Sequence, residues 1–156
     1  MSREDISDFL IHFTKGESDD VAFNRLRTIL AEHRLVGTNT NIRGGHTCVC
    51  FSEAPLAALE KGLLNGSAYS RYSPFGVLFN KSYIYAQGGR PVIYQSYDEY
   101  EPLPPSHSWR HVTYDPTAAR PVDFTWEREW RIHINEFRFD GSPRRPFSRT
   151  AYGQTA

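Results

Sequence analysis

The sequence predicts a single α+β domain. Two helical patterns come early, over residues 18–34 and 52–66. A series of short β-branched or aromatic runs follows, each bounded by Gly, Pro or Asp, and no segment repeats. A chain of 156 residues suits one core, and 39% hydrophobic with 14% aromatic content is enough to fill it.

The first strand is read at Phe9-Leu10-Ile11-His12-Phe13-Thr14, closed by Lys15-Gly16. Ser18-Asp19-Asp20 then offers a helix cap. Phe23, Leu26 and Leu30 recur at helical spacing with Ile29 beside them, His33-Arg34 suit the last turn, and Gly37 ends the unit. His46 to Phe51 is the second strand. Ser52-Glu53-Ala54-Pro55 opens a second helix, with Leu56, Leu59 and Leu63 on its apolar face and Asn65-Gly66 as its stop. Further strands are expected over residues 75–79, 91–95 and 110–114. The last is Trp126 to Ile134, where Trp130, Ile132 and Ile134 alternate with Glu129, Arg131 and His133. The strands around Ile11, Val49, Val77, Ile93 and Ile132 are expected to form a split, mostly antiparallel core. The domain is placed at residues 1–136. Residues 137–156, with four arginines and one acid, form an arginine-rich tail or linker, or a basic arm that touches phosphates.

Eighteen basic residues balance eighteen acidic ones, which argues against a surface built for nonspecific coating of DNA but leaves room for a local basic groove. No apolar run approaches the roughly 18 residues of a membrane span, and Met1-Ser2-Arg3-Glu4-Asp5 lacks the basic start and apolar stretch of a signal peptide. Cys48 and Cys50 are too close for a disulfide framework, so a reducing, cytoplasmic setting is expected.

Several residue groups can carry chemistry. In Trp126-Glu127-Arg128-Glu129-Trp130-Arg131, extended backbone puts Glu127 and Glu129 on one face. Two neighbouring carboxylates repel, so one is expected to have either a raised pKa or a cationic partner, and Arg131 on the same face can be that partner. The alternative is a solvated polar face behind Trp130 and Ile132, held by surface ion pairs. His12, with Thr14 on its face, can grip a sugar hydroxyl or an amide, or simply be hydrogen-bonded within the strand. His46, Cys48 and Cys50 share a strand face, but same-face neighbours are about 7 Å apart and do not converge on one metal ion, so buried thiols are expected instead. Tyr69, Arg71 and Tyr72 make an aromatic and basic loop suited to a base, a nicotinamide ring or a phosphate, or to covering the core edge. Arg43-Gly44-Gly45 can hold an anion, although it matches neither a Walker loop nor a dinucleotide fingerprint.

Taken in order, Leu10-Ile11-His12-Phe13-Thr14, Ile29-Leu30, Cys50-Phe51-Ser52-Glu53, Tyr72-Ser73-Pro74-Phe75-Gly76-Val77, Val92-Ile93-Tyr94 and Trp126 to Ile132 resemble a group of bacterial domains linked to abortive phage resistance. Those domains look like distant members of the ADP-ribosyltransferase superfamily, which includes toxins that modify DNA. The resemblance spans most of residues 9–134. It implies an ADP-ribosyltransferase-like fold with NAD as substrate. By resemblance, His12 binds the adenosine ribose and Phe13-Thr14 hold the nicotinamide amide. Tyr72, or Tyr69 in its place, stacks on nicotinamide, and Arg43 or Arg71 pairs with the diphosphate. Glu129 is the catalytic glutamate and Glu127 the second acid. His12 is typical of one branch and the Glu-x-Glu pair of another, so the acceptor stays open between nucleic acid and protein. A noncatalytic nucleic-acid- or protein-binding module of a defence system and an NAD glycohydrolase are the competing readings.

Overall fold

The computed structural model describes residues 5–55, 58 and 73–139. In chain order these form β1 (Phe9–Phe13), α1 (Asp19–Glu32), β2 (Arg34–Val36), β3 (Cys48–Ser52), β4 (Gly76–Asn80), α2 (Lys81–Ala86), β5 (Arg90–Pro91), β6 (Ile93–Gln95), α3 (Pro105–Ser108), β7 (His111–Thr113), β8 (Glu129–His133) and β9 (Glu136–Arg138). The main sheet runs β4-β1-β3-β8-β5, antiparallel throughout; β2 pairs with β9, and β6 pairs with β7 in parallel. The mixed α+β class is as predicted, with a mostly antiparallel sheet. Among the described residues no helix is long and apolar enough to cross a membrane. The leucines Leu56, Leu59 and Leu63 of the second predicted helix lie outside the described residues.

Alternation along the strands sorts the core. Leu10, Val49, Phe51, Phe79, Trp130 and Ile132 meet on one side of the main sheet, joined by Leu35, Ile84 and Phe137. Burying each such side chain contributes about 1.5–3 kcal/mol. Trp130 also needs a partner for its indole N–H. It donates to Glu53 Oε2 at 2.7 Å, while Lys81 Nζ donates to Glu53 Oε1 at 2.7 Å, tying β8, the end of β3 and the start of α2 together.

Helix α1 begins where expected. The Ser18 hydroxyl accepts from the Val21 N–H, and Asp19 and Asp20 occupy the first turn. Its inward residues differ from the prediction. Ala22 is buried and Ile29 packs on the core, whereas Phe23 and Leu30 are exposed. His33 adopts a left-handed conformation that ends the helix, so Arg34 belongs to β2 rather than to a last helical turn.

Three further expectations are corrected. The strand around Ile93 does not join the main sheet. Pro91 has no N–H to continue the ladder, Val92 N–H still reaches the Glu129 carbonyl, and from Ile93 the chain turns to pair with β7. The last strand begins at Glu129, not Trp126. The Asp123 carboxylate accepts from the Thr125 N–H and hydroxyl at 2.9 and 2.6 Å, which winds Thr125–Glu127 into a 3-10 turn, and Arg128 follows in the left-handed region with φ 43°. Glu127 is therefore a turn residue and does not share a strand face with Glu129. Phe137, assigned to the tail by its flanking arginines, is 3% exposed in β9, with its ring among those of Phe51, Phe79 and Phe139.

Candidate functional site

Strand β8 places Glu129 and Arg131 on the face away from the core, and register pairs them with Ser52 and Cys50 of β3. At Arg131 this face is closed to solvent. Arg131 is 4% exposed, and four hydrogen bonds hold its guanidinium: Nε and one terminal nitrogen donate to the two Glu129 oxygens at 2.8 and 3.2 Å, and the other donates to the carbonyls of Trp109 and His111 at 2.9 and 3.1 Å. Burial by itself would lower the Arg131 pKa; the Glu129 carboxylate outweighs it and the pKa is raised. The Glu129 N–H in turn donates to the Tyr94 hydroxyl at 3.1 Å, and burial pushes that phenol up to about 12. The pairing of Glu129 with Arg131 thus follows the sequence expectation, whereas the solvated-face alternative does not describe β8.

On the other strand of the site, His12 Nδ1 donates to the Cys50 carbonyl at 2.8 Å, and its ring meets the edge of Phe51. Burial lowers the His12 pKa. The Cys50 carbonyl opposes that effect, and the charge of Lys15 adds to it. The imidazole is thus neutral, with Nε2 as an acceptor. Thr14 is buried, and both its N–H and its hydroxyl donate to the Phe75 carbonyl.

Strands β1 and β3 pair at Ile11 and Ser52 alone. Because Ile11 lies opposite Ser52 and Ser52 opposite Glu129, Ile11 shares the face of Glu129 and His12 projects from the other. Where the two strands stop pairing, a cleft of about 930 Å³ is lined from both faces. His12, Phe13 and Thr14 of β1, Asn24 and Arg25 of α1, Cys50 of β3, Glu127, Glu129, Arg131 and His111 all contribute to its walls. The volume suits a nucleotide-sized ligand.

The structure therefore brings His12, Phe13, Thr14, Glu127 and Glu129 to one cleft. Tyr69, Arg71 and Tyr72 lie outside the described residues. Arg43 also lines the cleft, but its guanidinium is engaged within the protein. It lies 3.8 Å from the Tyr97 ring centroid and 4.1 Å from that of Tyr100, and it donates to the Tyr97 carbonyl and to Glu101. Neither cysteine is a ready nucleophile. Burial pushes the Cys48 thiol up to about 11, and burial with the Glu129 charge raises Cys50 further. Sequence reasoning missed Asn24, Arg25 and His111. The signal was faint: Asn24, Arg25 and Thr28 form a polar stripe on α1, which reads equally well as a solvent face.

Comparison with known proteins finds no matching family model, no matching curated protein and no matching solved structure.

Proposed function

We propose that this chain is an ADP-ribosyltransferase-like enzyme that takes NAD as its substrate and passes ADP-ribose to a macromolecular acceptor, nucleic acid or protein, in a toxin or phage-defence role. One observation supports this most. His12 at the end of β1 and Glu129 at the start of β8 line the same cleft, with Glu129 oriented by a buried arginine.

When the nicotinamide–ribose bond breaks, its electron pair leaves with nicotinamide and positive charge builds on the ribose. The Glu129 carboxylate accepts a hydrogen bond from the ribose 2′-hydroxyl and stabilises that charge. Arg131 uses one acceptor position on each oxygen and leaves others for the sugar. His12, neutral and anchored through Nδ1, offers Nε2 to a hydroxyl of the adenosine ribose. Glu127, held in the turn before β8, lines the cleft as the acid that selects or deprotonates the acceptor.

The bidentate hold of Arg131 on Glu129 also favours a second reading, since it gives the carboxylate a structural use in a binding module without catalysis. Incubating the protein with labelled NAD in the presence of DNA, RNA or total protein separates the readings. Nicotinamide release with label on one polymer is the expected result. Release with no transfer makes the protein an NAD glycohydrolase, and neither release nor NAD binding leaves the binding module.

A further inference from the structure

Arg90, in the edge strand β5 of the main sheet, and Arg110, just before β7, are neighbours outside the cleft. Backbone carbonyls pin both to the 85–91 stretch. One terminal nitrogen of Arg90 donates to the carbonyls of Tyr85 and Gly89 at 2.9 and 2.6 Å, and its guanidinium lies 3.9 Å from the Tyr85 ring centroid. Arg110 Nε donates to the Pro91 carbonyl at 2.9 Å. Both side chains keep further N–H donors: Nε and a terminal nitrogen on Arg90, and both terminal nitrogens on Arg110. Carboxylates pair with Arg34, Arg43, Arg131 and Arg138, but among the described residues none pairs with Arg90 or Arg110. Arg131 lies opposite Arg90 in register, and the carboxylate beside it, Glu129, is the one it already holds. Burial first, and the charge of Arg90 second, lower the Arg110 pKa.

Holding two half-buried cations together costs free energy unless an anion lies between them. The carbonyls that fix both forks also reduce the ordering that binding requires. We infer that Arg90 and Arg110 form an anion site outside the cleft that takes the phosphates of a single-stranded nucleic acid. Guanidinium forks match phosphate oxygens in pairs, and consecutive phosphates of one strand supply a charge to each arginine. Tyr85, 54% exposed beside them, offers a ring to an unstacked base. An acidic peptide meets the two charges but has no base for that ring. Because β5 runs next to β8, a strand held here lies beside the strand that carries Glu129. Making that nucleic acid the ADP-ribose acceptor rests on the function proposed above; the anion site itself does not.

Fluorescence anisotropy with a short labelled single-stranded oligonucleotide tests the assignment. Wild type is expected to bind it, with affinity falling as salt rises. Arg90→Gln and Arg110→Gln should each lose about tenfold in affinity, the scale of one charge-assisted contact. Each should also reduce the slope of log affinity against log salt by about 0.7. Arg27→Gln, which removes an exposed charge from α1, should change little. In the unaltered protein, bound oligonucleotide should shield Arg90 and Arg110 from phenylglyoxal, a readout that needs no variant to fold. Equal losses in Arg27→Gln, no shielding, or tighter binding of poly-glutamate or duplex DNA than of the single strand overturns the site. No oligonucleotide binding, in a protein that labels other proteins from NAD, overturns the site and leaves the enzymatic reading standing. Binding lost in the Arg90 and Arg110 variants of a protein that never cleaves NAD upholds the site and overturns the enzymatic reading instead.

Discussion

Arg131 grips both carboxylate oxygens of Glu129 from two residues along the same strand, and nearly all of this ion pair is buried. The two side chains are neighbours on one face because β8 is extended, and the guanidinium is cut off from water because the 109–111 segment lies over it and supplies two carbonyl acceptors, while Glu129 faces the cleft. The pair therefore serves stability and geometry together.

Glu129→Gln should cost both. Removing one partner leaves a buried cation, worth about 3–5 kcal/mol of stability. NAD cleavage should fall by about 10²–10³ through loss of the charge that steadies the ribosyl cation. The double variant Glu129→Gln with Arg131→Met removes the stranded charge, so urea unfolding should show stability recovering while cleavage stays low. If the double variant regained wild-type cleavage, Glu129 would have no part in the chemistry.

His12 should make the fold acid-sensitive. Its native pKa lies below the ordinary value of 6.5 because of burial, with Lys15 adding to the effect. As pH falls through 6.5 the unfolded chain takes up a proton that the native state still refuses, so stability is full above that value and declines below it until the native pKa is reached. His46 is shifted in the same direction, by burial first and by His133 second, and contributes to the same window. Asn in place of His12 supplies an amide donor near the position of Nδ1 without titrating. Urea midpoints from about pH 8 to about pH 5 should therefore fall less steeply in His12→Asn than in wild type; parallel curves would contradict the assignment.

Gly44 and Gly45 both have positive φ, yet only one is crowded. A Cβ on Gly44 would meet the Tyr100 hydroxyl at 2.0 Å, whereas one on Gly45 meets nothing within 4 Å. Gly45→Ala should cost about 1–2 kcal/mol from the left-handed backbone alone. Gly44→Ala must also push Tyr100 off Arg43, losing a cation–π contact worth about 0.5–2 kcal/mol more. Thermal unfolding of the two variants should separate them in that order, and equal losses would show that the Arg43 stack adds nothing.

Phe137→Ala should destabilise the protein by about 3–5 kcal/mol, the usual range for a buried phenylalanine. The same substitution in a loose tail would be silent. Chemical unfolding decides between a core strand and a tail beginning at residue 137, and the rings of Phe51, Phe79, Tyr83 and Phe139 around Phe137 lead to the first outcome.

Local chemistry was enough to read the start of α1 from Ser18, the alternation of Trp130 and Ile132 against Glu129 and Arg131, and the α+β class, because caps and strand periods act over a few neighbouring residues. The Trp126–Ile134 run looked like one strand because its apolar spacing outweighed a shorter signal, the Asp123 carboxylate that folds Thr125–Glu127 into a turn. Tertiary packing alone decided which side of α1 turns inward, why Phe137 is core and why the Ile93 strand leaves the main sheet. Each depends on partners far away in sequence, such as Leu35 opposite Phe137 and Ile93 opposite His111. The cleft belongs to the same class. His12, Arg25 and Glu129 come together where β1 and β3 cease to pair, and long-range strand register is a property that no short stretch of sequence carries.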